Sequence, residues 1–238
     1  MSLMRNLAER LGYDLRRVHK SDAMDHHLRR FFSQHRIGLV IDCGAFVGAF
    51  GQKCRKVGYR GEILSFEPSE KQYRALNQLA AADPQWTALK AGLSDAETTG
   101  SMRVSSGNGD LNSLYAPKPE MFDRFEGLQT ASAETIALHR LDSLLAARNI
   151  AKGVPIFLKS DTQGHDLAVL RGAGERLRDV AGILLEMSVQ PLYEGVPSHW
   201  EALEYIRSAG FEPYGFSSLS RDAKGNLIEY DALFSRST

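Results

Sequence analysis

Residues 39–51 read LVIDCGAFVGAFG, an apolar run that passes through Asp42 into a turn with glycines at 44, 48 and 51. A short apolar strand that ends in a glycine turn and re-enters a helix is a nucleotide-cofactor cradle, because glycine lets the backbone approach a ligand closely. Downstream, EILSFEPS over 62–69 brings Glu67 to the end of a second apolar run. Nucleoside-binding folds place there the carboxylate that holds ribose hydroxyls. Together the two runs predict an adenosine-containing cofactor.

The spacing narrows the choice. A nicotinamide-binding turn reads G-x-G-x-x-G, but Phe46 stands where its second glycine admits a pyrophosphate. Asp42, directly ahead of the turn, would repel a pyrophosphate and attract a cation. S-adenosyl-L-methionine carries a sulfonium, an ammonium and a ribose and no phosphate, so Asp42, Gly44, Ala45, Gly48 and Glu67 are read as its contacts. An NAD-dependent oxidoreductase and a non-catalytic S-adenosylmethionine-binding protein are the competing readings.

The chain has 238 residues, 43% of them hydrophobic, enough for one sizeable core and short for two complete domains. Its 29 basic and 29 acidic residues cancel. No global field then draws it to nucleic acid or to an anionic membrane. No apolar run reaches the roughly 20 residues of a membrane span, and the charged, amphipathic N-terminus lacks a signal core, so a cytoplasmic protein is expected. Cys43 and Cys54 are too few for a disulfide framework and read as packing residues.

Helical spacing runs through residues 3–35, with Leu3, Leu7, Leu11, Leu28, Phe31 and Phe32 among charges, giving an N-terminal helical extension over 1–36. From 37 onward strands and helices alternate: LVIDCGA, a helix over about 48–57, EILSFEP, the helix KQYRALNQLAAA, then WTALKAGLSD. The segment 96–129 breaks this rhythm as a short strand around SMRVSS and a long loop, expected to act as a lid or substrate loop around 105–130. A second series follows with ETIALHRLDSLLAARNI, VPIFLKSDTQGHDLAVLRGA, GILLEMSVQPLYEG and a helix over about 198–209. FEPYGF and YDALFSR close the chain as a hairpin joined by SSLSRDAKGNLIE. This order predicts one α/β domain over 1–238, a Rossmann-like, mostly parallel sheet with an antiparallel final strand and helices on both faces.

These residues resemble the FkbM-type S-adenosylmethionine-dependent methyltransferases. The likeness is carried by DCGAFVGAFG, SFEPS, KAGLSD, LHRLDSLL, IFLKSDTQGHDLAVLRGA and LLEMSVQPLYEG, in that order over 37–236. It implies the seven-stranded class I methyltransferase fold, and it adds Pro68, Leu93, Ser94 and Asp161 to the cofactor contacts. Phe46 stands where that family commonly has a small polar Asn. His165 and Asp166 stand where it has an apolar or aromatic residue and a Glu.

Methyl transfer to oxygen needs an in-line acceptor hydroxyl and a base for its proton. Asp161 and Glu186 end neighbouring strands and should face the crevice at the carboxyl ends of the sheet. Lys159 lies on the same side as Asp161, and as a buried ammonium it needs Asp42 or Glu186 as partner. His165 and then His139 are the alternative bases. Asp161 with Glu186 is also the pair that would hold magnesium, a reading disfavoured because Glu186-Met187-Ser188 replaces the usual second acid pair. Tyr115, Met121, Phe122, Phe125, Tyr193 and Glu194 form a candidate aromatic platform for the acceptor. With the resemblance, they point to O-methylation of a sugar, glycan or glycosylated small natural product.

Overall fold

The computed structural model describes residues 23–237. The expected helix around Leu3, Leu7 and Leu11 lies outside them. Helix α1 (Ala23–His35) leads into β1 (Leu39–Cys43), α2 (Ala49–Lys56), β2 (Glu62–Phe66), α3 (Glu70–Ala80) and β3 (Trp86–Leu89). Next come the short β4 (Gly92–Ser94), β5 (Thr98–Ser105), β6 (Thr130–Arg140) and α4 (Leu141–Ala147). The chain ends with β7 (Ile156–Ser160), α5 (Asp166–Gly172), β8 (Val180–Ser188), α6 (His199–Ser208), β9 (Phe211–Arg221) and β10 (Leu227–Arg236).

Seven strands form one sheet in the order β3-β2-β1-β7-β8-β10-β9. β1 pairs in parallel with β2 and β7, β7 in parallel with β8, and β10 antiparallel to both its neighbours. The side-chain period of two explains how β1 is buried on both faces. Leu39, Ile41 and Cys43 enter the core beneath α4, α5 and α6, and Val40 enters the core beneath α1, α2 and α3. The chain order reverses between β1 and β7, which makes that point the switch where open α/β sheets bind ligands.

Two features depart from the sequence reading. WTALKAGLSD does not stay in one sheet. After β3 the chain steps off at Lys90 and Ala91, and β4, β6 and β5 form a separate three-stranded sheet. Glu134 of β6 locks that sheet to the main body by accepting the Glu70 N–H at the start of α3 (3.0 Å). The terminal hairpin is also longer than FEPYGF and YDALFSR. Most of the expected linker is strand, and the turn contracts to 222–226, where the Asp222 carboxylate accepts from Lys224 N, Asn226 N and Asn226 Nδ2. Among the described residues no helix is long and apolar enough to cross a membrane.

Candidate active site

A cavity of about 320 Å³ opens beyond the carboxyl ends of β1, β2, β7 and β8. That size falls in the range of small-molecule sites. Its floor is the glycine turn. Gly44 has φ 65°, and a Cβ there would stand 1.9 Å from the Asp161 carbonyl oxygen. Only glycine lets the ends of β1 and β7 meet so closely, and the Asp161 N–H donates to Cys43 O at 3.2 Å across the join.

Beside it, Phe46 takes a left-handed φ of 51°, which aims its N–H at Glu67 Oε2 (2.9 Å). Ser69 N–H donates to Oε1 at 2.9 Å. Both carboxylate oxygens are fixed by backbone and keep lone pairs for hydroxyl groups. Burial pushes the Glu67 carboxyl up to about 7 against these two hydrogen bonds. Ala45 and Pro68 line the same end. Above them Leu93, Met102, Leu114, Ile136 and Leu138, mostly from the small sheet, form an apolar slot. Ser94 stands just behind the wall and hydrogen-bonds His165.

Besides Ser94, two expected cofactor contacts are placed outside the cavity lining. Asp42 is 0% exposed and faces the core beneath the turn, not the cavity. It accepts from Ser65 Oγ at 3.1 Å and lies 3.3 Å from Lys159 Nζ, which also donates to Gly44 O at 2.8 Å. Trp86 Nε1 continues the network to Ser65 Oγ. Burial works against the Asp42 charge, while Lys159 and Ser65 favour it. Burial also opposes the Lys159 charge, but Asp42 and Asp161 outweigh it and raise the ammonium above its ordinary value. Burial nonetheless leaves the Asp42 carboxyl above its ordinary value. Gly48 is likewise turned away, against Leu76, Leu79 and Trp86, and a Cβ on Gly51 would stand 2.1 Å from the Trp86 ring. These two glycines serve helix packing.

At the other end of the cavity stand Asp161, Gln163, Glu186 and Asp231. The pairing of Glu186 with Asp231 sets carboxyl groups side by side on β8 and β10. Burial raises the Glu186 carboxyl well above the usual range, and Asp161, Glu229 and Asp231 add to the rise. Glu229 is pushed up to about 7 by burial and the same neighbours.

His165 lines the cavity with both ring nitrogens engaged, Nδ1 to Tyr115 Oη (3.1 Å) and Nε2 to Ser94 Oγ (3.0 Å). Burial lowers its pKa, which favours the neutral ring. His139 is not brought to the site. It sits on β6, outside the cavity lining, 2.7 Å from Glu97. Asp166 does not meet His165 as a partner but ties the β7–α5 turn, accepting from Ser160 Oγ, Thr162 N and Thr162 Oγ1.

The expected aromatic platform is an anchor. Met121, Phe122 and Phe125 pack with Leu128, Leu192, Tyr193 and Ile228 in a satellite core, and none of these seven lines the cavity. The cavity-facing part of the loop is Gly109, Asp110, Asn112, Ser113 and Leu114. Among the described residues no group of three or more His, Cys, Asp or Glu is arranged to hold a metal ion. Sequence reasoning missed Gln163, whose one signal was its place between Asp161 and Gly164, and Asp231, which only the sheet register brings to Glu186.

The residues fit S-adenosyl-L-methionine. The fixed Glu67 carboxylate suits ribose hydroxyls, the apolar slot suits a purine, and the acid-rich far end suits a sulfonium. Among solved structures, one similar to this chain is a protein assigned as an O-methyltransferase from Klebsiella pneumoniae, at 12% identity and TM-score 0.51, covering 100% of this chain and 89% of that one. Another is magnesium protoporphyrin IX methyltransferase from Synechocystis PCC 6803 with bound S-adenosyl-L-methionine, at 12% identity and TM-score 0.46, covering 99% and 96%. Among curated proteins, translation initiation factor IF-2 of Wolinella succinogenes is 28% identical over 141 residues. The match takes in 57% of this chain and 14% of that factor's length. The profile of the Methyltransferase FkbM domain matches residues 42–213, well over half of the chain. The glycine turn, Glu67, Asp161, Gln163 and Glu186 all fall in that span, and the chain belongs to the FkbM methyltransferase family.

Proposed function

We propose that the protein is an S-adenosyl-L-methionine-dependent O-methyltransferase whose acceptor is a hydroxyl of a sugar, glycan or glycosylated small natural product. One observation carries the reading: a single cavity runs across the switch point from the backbone-fixed Glu67 to the Asp161–Glu186 pair. When bound, the cofactor supplies an electrophilic methyl group on a sulfonium. Glu67 holds the ribose hydroxyls, and the slot around Leu93 and Leu138 holds the purine. Residues 37–238 act as one catalytic core, with the loop around 105–130 closing over the acceptor.

Asp161 is the base. Its side chain is 38% exposed towards the cavity, and Lys159 Nζ at 3.7 Å balances its charge. It takes the hydroxyl proton as the acceptor oxygen bonds the methyl carbon and the carbon–sulfur bond breaks. Glu186, whose carboxyl burial favours in the protonated form, hydrogen-bonds the acceptor and thereby helps orient it. His165 braces the wall, because both of its nitrogens are already engaged.

Methyl-labelled cofactor incubated with a panel of sugars and glycosides, with and without chelator, tests the proposal. We expect label on oxygen, transfer indifferent to chelation, and a loss of about 100-fold or more in Asp161→Ala. Label on carbon or nitrogen, or abolition by chelator, contradicts it.

A further inference from the structure

Gln163 bridges the two carboxyl groups at the far end of the cavity. Its Nε2 donates to Asp161 Oδ1 at 3.0 Å and to Glu186 Oε2 at 3.1 Å, so one amide spans the ends of β7 and β8. Its Oε1 accepts from Tyr193 Oη at 2.9 Å, and its carbonyl oxygen accepts from Ser113 Oγ at 2.7 Å. Tyr193 Oη lies 3.0 Å from Leu111 O as well. Leu111 and Ser113 belong to the loop that closes the cavity, so every polar group of the Gln163 side chain joins a reacting carboxyl to the acceptor side.

The backbone is committed to this arrangement. Gln163 holds a φ of 53°, a left-handed conformation uncommon for a residue with a Cβ. Strain of this kind persists where the surroundings over-determine a side chain's position. An amide also suits the place chemically. Two carboxyl groups this close repel when both are ionised, and a neutral –NH2 donates to both without bringing a charge that would oppose a sulfonium.

We propose that Gln163 is a positioning residue, which holds Asp161 and Glu186 at the methyl-transfer end and makes their placement depend on docking of the 105–114 segment. The proposal rests on the methyltransferase reading given above. The charged and titratable groups around the amide are Lys159 from β7, Asp161, His165 and Asp166 from α5 and the turn before it, Glu186 from β8, Glu229 and Asp231 from β10, and Asp110 and Tyr193 from the loops. Even with Glu186 and Glu229 set aside, Asp110, Asp161, Asp166 and Asp231 outnumber Lys159, so the field at the transfer end attracts cations while the bridge keeps it ordered.

Two probes read that field without a known acceptor. S-adenosylhomocysteine is neutral at sulfur, whereas sinefungin carries an ammonium in the place of the methyl-sulfonium. Calorimetry of the whole chain should show sinefungin binding about 10-fold tighter. Gln163→Gly removes the amide and keeps a residue at ease with positive φ. It should leave S-adenosylhomocysteine affinity within about 3-fold and cut the sinefungin preference by about 5-fold or more. Tyr193→Phe keeps the Gln163 amide, removes the hydroxyl that meets both Oε1 and Leu111 O, and should cut the preference by about 2-fold, so the idea stays testable even if the glycine variant folds poorly. An unchanged preference in both variants overturns the positioning role. Failure of the wild-type protein to bind either probe instead overturns the cofactor assignment.

Discussion

Lys159 and Asp42 show what a single buried pair does beneath a site. The ammonium is tied to the Asp42 carboxylate and to the carbonyl oxygens of Cys43 and Gly44, so it clamps the glycine turn that forms the cavity floor. Lys159→Met leaves the buried Asp42 carboxyl without its ammonium partner, and it should cost about 3–5 kcal/mol in urea unfolding. Adding Asp42→Asn should recover part of that loss, and additive losses in the double variant would contradict the pairing. That Lys159 needs an acidic partner was legible in the sequence, because it falls near the end of a buried strand, but Asp42 and Glu186 both stood open as that partner. That Asp42 serves the clamp and not the cofactor was not legible. Strand alternation turns it beneath the turn, and only the register with Ser65 and Lys159 reveals its partners. Gly48 was misread for a similar reason: a glycine that admits a ligand and one that admits Trp86 look alike in a sequence.

The turn from β7 to α5 carries Asp161, Gln163 and His165 within a few residues, and Asp166 is the fastening that holds it. Its Oδ1 accepts three donors, from Ser160 and Thr162. Asp166→Ala should lower stability by about 1–3 kcal/mol and weaken S-adenosylhomocysteine binding. Intact affinity alongside the lost stability would show that the fastening does not shape the site. Elements buried on both faces, β1, β2, β7 and β8, stood out as apolar runs. The long β5, β6 and β9 were read only in part, around SMRVSS, within ETIALHRLDSLLAARNI and at FEPYGF, because one face of each is exposed and carries Ser, Thr and Glu that read as loop. The small sheet was hidden for a further reason. β4 joins β6 across a long sequence separation, and nothing local in KAGLSD marks that pairing.

At the scale of the whole molecule, burial of acids around the cavity governs the response to pH. Glu67 and Glu229 are both raised to about 7 from 4.5, so folding holds their protons more tightly than the unfolded chain does. A raised acid contributes stability that is present below pH 4.5 and is lost as pH climbs through 7. Thermal unfolding should therefore show stability falling between about pH 5 and pH 7, with a shallower fall in Glu67→Gln. Ligand binding runs the other way, because ionised Glu67 is the better acceptor for ribose hydroxyls. S-adenosylhomocysteine should bind about 10-fold tighter at pH 8 than at pH 6, a difference that Glu67→Gln abolishes. The central claim is that this cavity is built for S-adenosyl-L-methionine, and titration calorimetry with S-adenosylhomocysteine and with NADH at pH 8 tests it most directly. One S-adenosylhomocysteine per chain with micromolar affinity and no heat from NADH is the expected result; NADH binding without S-adenosylhomocysteine binding would contradict it.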